Sequence, residues 1–204
     1  MARVVGFGEQ QVLLPLYRAD GTVAAGGTPQ LILPRAAPRS SITIQNTSAT
    51  DTIVLEFGSA RATATLSGGK VSSITVTNGG FGYTYPPYVR FLGGGSLGNG
   101  RDLGLGYPNQ GAPSNFATAH CVLTAGAVSS IVIDNPGSGY DCAPYVQLLN
   151  DPNDNYGCAA PTSSVGYKLA PSAVYERSYN VVSTDAIAVY GPTTGNSWFC
   201  SYTT

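Results

Sequence analysis

Residues 71–92 read VSSITVTNGGFGYTYPPYVRFL, and residues 128–149 read VSSIVIDNPGSGYDCAPYVQLL. The two stretches align without a gap at a constant offset of 57, and 12 of the 22 positions are identical. A match of that length marks an internal duplication, which organises everything around it. In the first copy Val71, Ile74 and Val76 lie in a β-branched run that Asn78-Gly79-Gly80 ends, a strong signal for positive φ. A second strand starts after Pro87, where a missing N–H is tolerated. Upstream, Ala62-Thr63-Ala64 and Ala117-Thr118-Ala119 begin the copies, and Gly69 and Gly126 supply the next turn. Each unit therefore reads as strand, glycine turn, strand, glycine corner, proline, strand.

The corner itself is a shared G-x-G-Y. Gly80 and Gly82 in the first copy and Gly137 and Gly139 in the second allow a tight change of direction. Tyr83 and Tyr140 can fold back over it, ring on apolar neighbours and hydroxyl at a polar edge. The alternative is that Tyr83, Tyr85, Tyr88, Tyr140 and Tyr145 are exposed and form an aromatic surface for a sugar or a protein partner. Cys142 stands where Tyr85 stands in the first copy, which argues against one ligand bound twice.

Between the copies, residues 93–114 form a Gly-, Asn- and Pro-rich loop long enough to serve interaction. Before them, residues 39–46 and 52–58 alternate as two strands of a hairpin around a polar turn. After them, residues 167–171, 173–179, 186–191 and 197–202 give further short strands. Neither flank has enough strands to close a sandwich alone, but together they supply about six. The predicted fold is all-β: a jelly-roll-like β-sandwich made by the two flanks, with an inserted lobe of two duplicated β-repeat units. In domain terms, residues 39–61 plus 165–204 form a docking sandwich. Residues 62–164 project as the lobe, with repeats at 62–92 and 117–149. Residues 1–38, carrying Pro15, Pro29, Pro34 and Pro38, read as an extended arm with a strand at Gln11 to Tyr17. An arm of that kind suits contact with a neighbouring subunit.

Composition agrees with short strands and many turns. The 204 residues include 26 glycines and 14 prolines, and apolar residues make up 43%. Only 10% are charged, with a net charge of −1, so no basic footprint exists for nucleic acid. The heptad-rich composition of a coiled coil is also missing. Low charge predicts a surface of Ser, Thr, Asn, Gly and Tyr, or one covered by other subunits. The apolar run Val12 to Leu16 is interrupted by Pro15 and flanked by Glu9 and Arg18, so it reads as neither signal peptide nor membrane anchor. The expectation is a chain made in a cytoplasm with no membrane insertion. Cys121, Cys142, Cys158 and Cys200 show no CxxC pair, so free buried thiols are favoured over zinc or a Cys142–Cys158 disulfide. The sequon Asn46-Thr47-Ser48 reads as a turn.

Catalysis needs convergent titratable groups, and they are scarce. His120 is the only histidine and sits on a predicted strand, where the A-T-A alignment places Thr65 in the first copy. No nucleophile elbow or phosphate loop is present. Asp134, Asp141, Asp151 and Asp154 are the nearest thing to a glycosidase pair, but they fall in turns or opposite Thr77 and Thr84 of the first copy. Asp151-Pro152-Asn153-Asp154-Asn155 looks like the start of a calcium loop, yet Tyr156 and Thr162 occupy its glycine and closing-glutamate positions. The reading is non-enzymatic, with no catalytic residue, cofactor or metal.

The segments RSSITIQNTS, IVLEFGSA, YKLAPSAVYE and DAIAVYGPTTGNSWF together resemble small β-sandwich virion proteins of tailed bacteriophages. The text SSITVTNGGFGYTYPP resembles modules of phage fibre, spike and decoration proteins. The resemblance covers most of the chain and implies a capsid-decorating or head-fibre type of virion protein. It implies contacts with other virion subunits, above all the major capsid protein, and a homo-oligomer such as a trimer. Such a protein is assembled in the host cytoplasm and resides in the virion. The second expectation is a tail or fibre protein binding a host-surface glycan through the repeat tyrosines.

Overall fold

The structure is a computed structural model that describes residues 16–35, 39–94, 115–178 and 184–203. It is all-β. Eight strands make two facing four-stranded sheets. One sheet holds β1 (Leu16–Thr22), β14 (Ser197–Thr203), β3 (Ser41–Asn46) and β12 (Val174–Ser178), in that order. The other holds β11 (Tyr167–Leu169), β4 (Ile53–Phe57), β13 (Ile187–Tyr190) and β2 (Gln30–Leu33). All pairings are antiparallel. The chain changes sheet at every step except one, from β4 to β11, which are hydrogen-bonded neighbours. This is an eight-stranded jelly roll.

Alternation along β3 turns Ile42 and Ile44 inward, where they meet Ile53, Leu55, Ile187 and Val189 of the opposite sheet. Each such side chain, fully buried, contributes about 1.5–3 kcal/mol. Trp198 and Cys200 complete the same core. The sequon position Asn46 is wholly buried: its amide donates to the carbonyls of Asp51, Leu169 and Ala170, and its Oδ1 accepts from Ser48 N. That side chain holds a turn rather than a glycan.

The expected N-terminal arm is corrected over its described part. Leu16–Thr22 pairs with β14 along its whole length, and Ile32 and Leu33 of β2 lie in the sandwich core. Pro29 and Pro34 bracket β2 without interrupting it, so they mark strand ends and not an extended tail. Most of the expected strand at 11–17 lies outside the described residues, as does most of the loop 93–114.

Six further strands form a sheet of their own: β5 (Arg61–Ser67), β6 (Lys70–Asn78), β7 (Tyr88–Leu92), β8 (Thr118–Thr124), β9 (Ala127–Asn135) and β10 (Tyr145–Leu149). Every strand of the second unit starts and ends 57 residues after its counterpart. The gapless register equates Ala60 with Ala117 and Thr63 with His120, so the A-T-A trios are displaced from one another by two residues. The strand order is β6-β5-β10-β7-β8-β9. The two third strands are thus exchanged. β10 of the second unit pairs with β5 of the first, and β7 of the first pairs with β8 of the second. A pseudo-twofold axis passes by the central pair Arg90 and Gln147 of β7 and β10. The sheet curls until its edges meet: Val71 N donates to Pro136 O and Val128 N to Gly79 O, two bonds related by the same axis. Inside it lie Val71, Ile131, Val146, Leu148 and their partners, a core separate from that of the jelly roll.

Candidate functional site

The five repeat tyrosines separate into two classes. Tyr83 and Tyr140 are only 5% and 3% exposed, which overturns their assignment to a contact surface. The backbone explains it. Gly80, Gly82, Gly137 and Gly139 all have φ between 65° and 78°, a region that turns the following tyrosine back over the corner. The Tyr83 hydroxyl accepts from Ala60 N at 2.6 Å and the Tyr140 hydroxyl from Ala117 N at 2.8 Å. Their backbone N–H groups donate across the pseudo-axis, to Gly126 O and Gly69 O respectively. Each ring lies against two glycines, Gly80 and Gly157 for Tyr83, Gly137 and Gly94 for Tyr140, where any Cβ would collide with it. Burial pushes the Tyr83 phenol well above its ordinary pKa.

Tyr85, Tyr88 and Tyr145 are 47%, 58% and 66% exposed. Tyr88 and Tyr145 begin β7 and β10, and the inward turn of Val89 and Val146 sends both tyrosines outward. Each faces a place where two strands diverge: β7 and β8 share only the pair Tyr88–His120, and β10 and β5 share only two. Two grooves result. One, of about 440 Å³, is lined by Tyr85, Pro86, Tyr88, His120 and Asp151 over a floor that includes Val89 and Cys121. The other, of about 550 Å³, runs from Tyr145 and Thr63 to Arg61 and Asp185 at the waist between lobe and jelly roll.

The first groove carries most of the polar groups that sequence reasoning examined singly. His120 Nδ1 lies 2.8 Å from Asp134 Oδ1, both side chains about half exposed. The Tyr88 hydroxyl donates to Asp151 Oδ2 at 2.9 Å, which raises the phenol pKa. Asp151 Oδ1 accepts from Asn153 N, and these bonds hold its carboxyl below the usual range. Asp141 stands apart at the second corner, where its backbone N–H donates to Gly94 O.

Asp154 plays a different part. It is 1% exposed, and its oxygens accept from the N–H groups of Thr84, Tyr85, Tyr156 and Gly157. Burial alone would raise its pKa, but the four donors outweigh burial and lower it. Its lone pairs fasten the segment after β10 onto the first corner, so they are unavailable to a cation. Among the described residues no group of three or more His, Cys, Asp or Glu side chains is placed to hold a metal. The sequence signal for this lock is Asp154-Asn155-Tyr156-Gly157, an acid two and three residues before the N–H groups it caps.

At the waist, Glu56 on β4 is buried and receives Arg61 through both guanidinium nitrogens, which raises the arginine pKa. Cys158 is packed beside Ala186 and Ala188 on the outer face of the jelly roll and pairs through its backbone with Phe81 of the first corner. All four cysteines are free thiols, and burial pushes Cys158 and Cys200 up to about 12 and Cys121 to about 11. Neither the Glu56–Arg61 pair nor the position of Cys158 had a local signature, because both depend on how the lobe sits on the sandwich. No protein-family model matches the chain, and no curated protein or solved structure is found that resembles it.

Proposed function

We propose that this chain is a non-enzymatic structural protein of a tailed-phage particle, docked on the capsid as a decoration or short head-spike protein, with the repeat lobe displayed. The observation that carries the reading is the insertion point. β4 and β11 are adjacent antiparallel strands that a short turn would join, and the lobe is spliced into that turn. The jelly roll therefore closes from its own eight strands and is free to dock, while the lobe has its own core and is free to vary. The sequence resemblance to phage virion proteins supplies the particle. The low charge suits a surface given over to subunit contacts. Many copies binding weakly would hold firmly by avidity, and cyclic homo-oligomers such as trimers fit an appendage.

The test uses particles from a host that expresses the chain. Antibody raised against the lobe should label intact heads, and a chain with residues 59–165 replaced by a short turn should still join particles. A folded deletion chain that fails to join, or label confined to unassembled protein, would refute the assignment.

A further inference from the structure

The two grooves stand on one duplicated scaffold, yet they are furnished differently. Tyr88, Val89 and Ala119 of the first groove recur as Tyr145, Val146 and Ala62 in the second. These are the residues that start the strand and pack its inner side. By contrast Tyr85, His120 and Asp134 have as counterparts Cys142, Thr63 and Thr77, and Asp151 lies beyond the duplicated stretch. The matching half of the sheet forms with Cys142, Thr63 and Thr77 in these places, so strand formation does not account for Tyr85, His120 and Asp134.

We propose that the groove between β7 and β8 binds a neutral saccharide, with Tyr85 and Tyr88 as stacking faces, Asp151 as an acceptor and His120 as a hydrogen-bond partner for its hydroxyl groups. Exposed tyrosine rings beside prolines offer flat apolar faces to the C–H side of a pyranose. Asp151 can only accept. Tyr88 already donates its proton to Asp151. Three donors reach the Asp151 carboxylate, from Tyr88 and from the backbone and side chain of Asn153, which leaves acceptor capacity on Oδ2. His120 Nδ1 bonds Asp134 Oδ1, which leaves Nε2 to hydrogen-bond a sugar hydroxyl, a group that both donates and accepts.

A saccharide brings the hydroxyl donors such a site wants. A proline-rich peptide, the other ligand that lies on tyrosine and proline surfaces, brings carbonyl acceptors and would find the Tyr88 donor spent and the Asp151 carboxylate unmatched. Among the described residues no Lys or Arg lines the groove and Asp151 does, which disfavours phosphate and acidic sugars. The site stands apart from the docking role above, because particle association is measured separately.

The purified full chain should be tested by saturation-transfer NMR and array binding. The probes are neutral oligosaccharides of glucose, galactose, mannose, rhamnose and N-acetylhexosamine, with uronic-acid oligomers and a proline-rich peptide as comparators. Binding to a neutral probe is expected. Tyr85→Ala and His120→Thr should each weaken it about tenfold. Tyr145→Ala, in the other groove, should leave it unchanged. His120→Thr installs the residue of the other unit on an exposed position, so near-ultraviolet circular dichroism should stay native. The proposal is overturned if no neutral probe binds. Preference for the acidic or proline-rich comparators, or an equal loss on Tyr145→Ala, would also overturn it.

Discussion

At the scale of single residues, the corner tyrosines and Asp154 show how a few buried polar atoms secure a glycine-rich chain. The Tyr83 hydroxyl is the partner of Ala60 N–H, and both are buried. Tyr83→Phe keeps the ring between its glycines and orphans that donor, so it should destabilise the lobe by about 1–3 kcal/mol in urea unfolding. Tyr140→Phe should do the same through Ala117. Asp154 adds a pH dependence of known sign. Its folded pKa is depressed below the ordinary 3.8. The stabilisation is therefore complete above that value and is lost as pH falls through and below it. Asp154→Asn should remove most of this acid sensitivity and cost about 1–3 kcal/mol at neutral pH, because one amide oxygen cannot serve four donors. Comparing the two chains in unfolding curves at pH 3 and pH 7 checks both. The corner was legible in the sequence because G-x-G-Y recurs. The folding back of Tyr83 and Tyr140 over it was legible for the same reason, whereas Gly157 and Gly94, which close on the two rings, lie outside the motif and carried no such signal.

At the scale of elements, the duplication supplies its own controls. The turn between β5 and β6 is Gly68-Gly69, with φ of 56° and 71°, and the turn between β8 and β9 is Ala125-Gly126, with φ of 50° and 75°. Both are two-residue hairpin turns of the kind that needs positive φ at each position. Ala125 holds that conformation at a cost its twin Gly68 avoids. Ala125→Gly should therefore stabilise the lobe by about 0.5–1 kcal/mol, after the entropy that glycine adds to the unfolded chain is subtracted. Gly68→Ala should destabilise it by a similar amount, and thermal melts of the two variants should move in opposite directions. Element order within a unit was readable from β-branched runs, glycine turns and Pro87 and Pro144. The exchange of third strands was not, because Val89, Phe91, Val146 and Leu148 bury equally well against either hairpin, and no side-chain pattern names the partner. The groove inherits that limit: Tyr88 and His120 are far apart in sequence and meet only through the exchange.

At the scale of the whole molecule, the insertion governs how the parts depend on one another. The flanks were recognisable as strands, but β1 and β2 were hidden among prolines that looked like a tail, and the partners that bury them lie some 170 residues away in β13 and β14. Jelly roll and lobe each have a core, and the apolar contact joining them is small, centred on Cys158, Ala186 and Ala188. The Glu56–Arg61 pair also spans the junction, its carboxylate buried and its arginine half exposed. Two units with separate cores and a small junction should unfold in separate transitions. The chain contains reporters for each. Trp198, the single tryptophan, is buried in the jelly roll, and Cys121 is buried in the lobe, its thiol pushed up to about 11. Tryptophan fluorescence against urea follows the first, and mass-spectrometric labelling of Cys121 at neutral pH follows the second. Tyr83→Phe should shift the Cys121 midpoint to lower urea and leave the Trp198 midpoint where it stands. If both midpoints move together, the junction is strong enough to make one cooperative unit, and the lobe could not vary independently of the body that carries it.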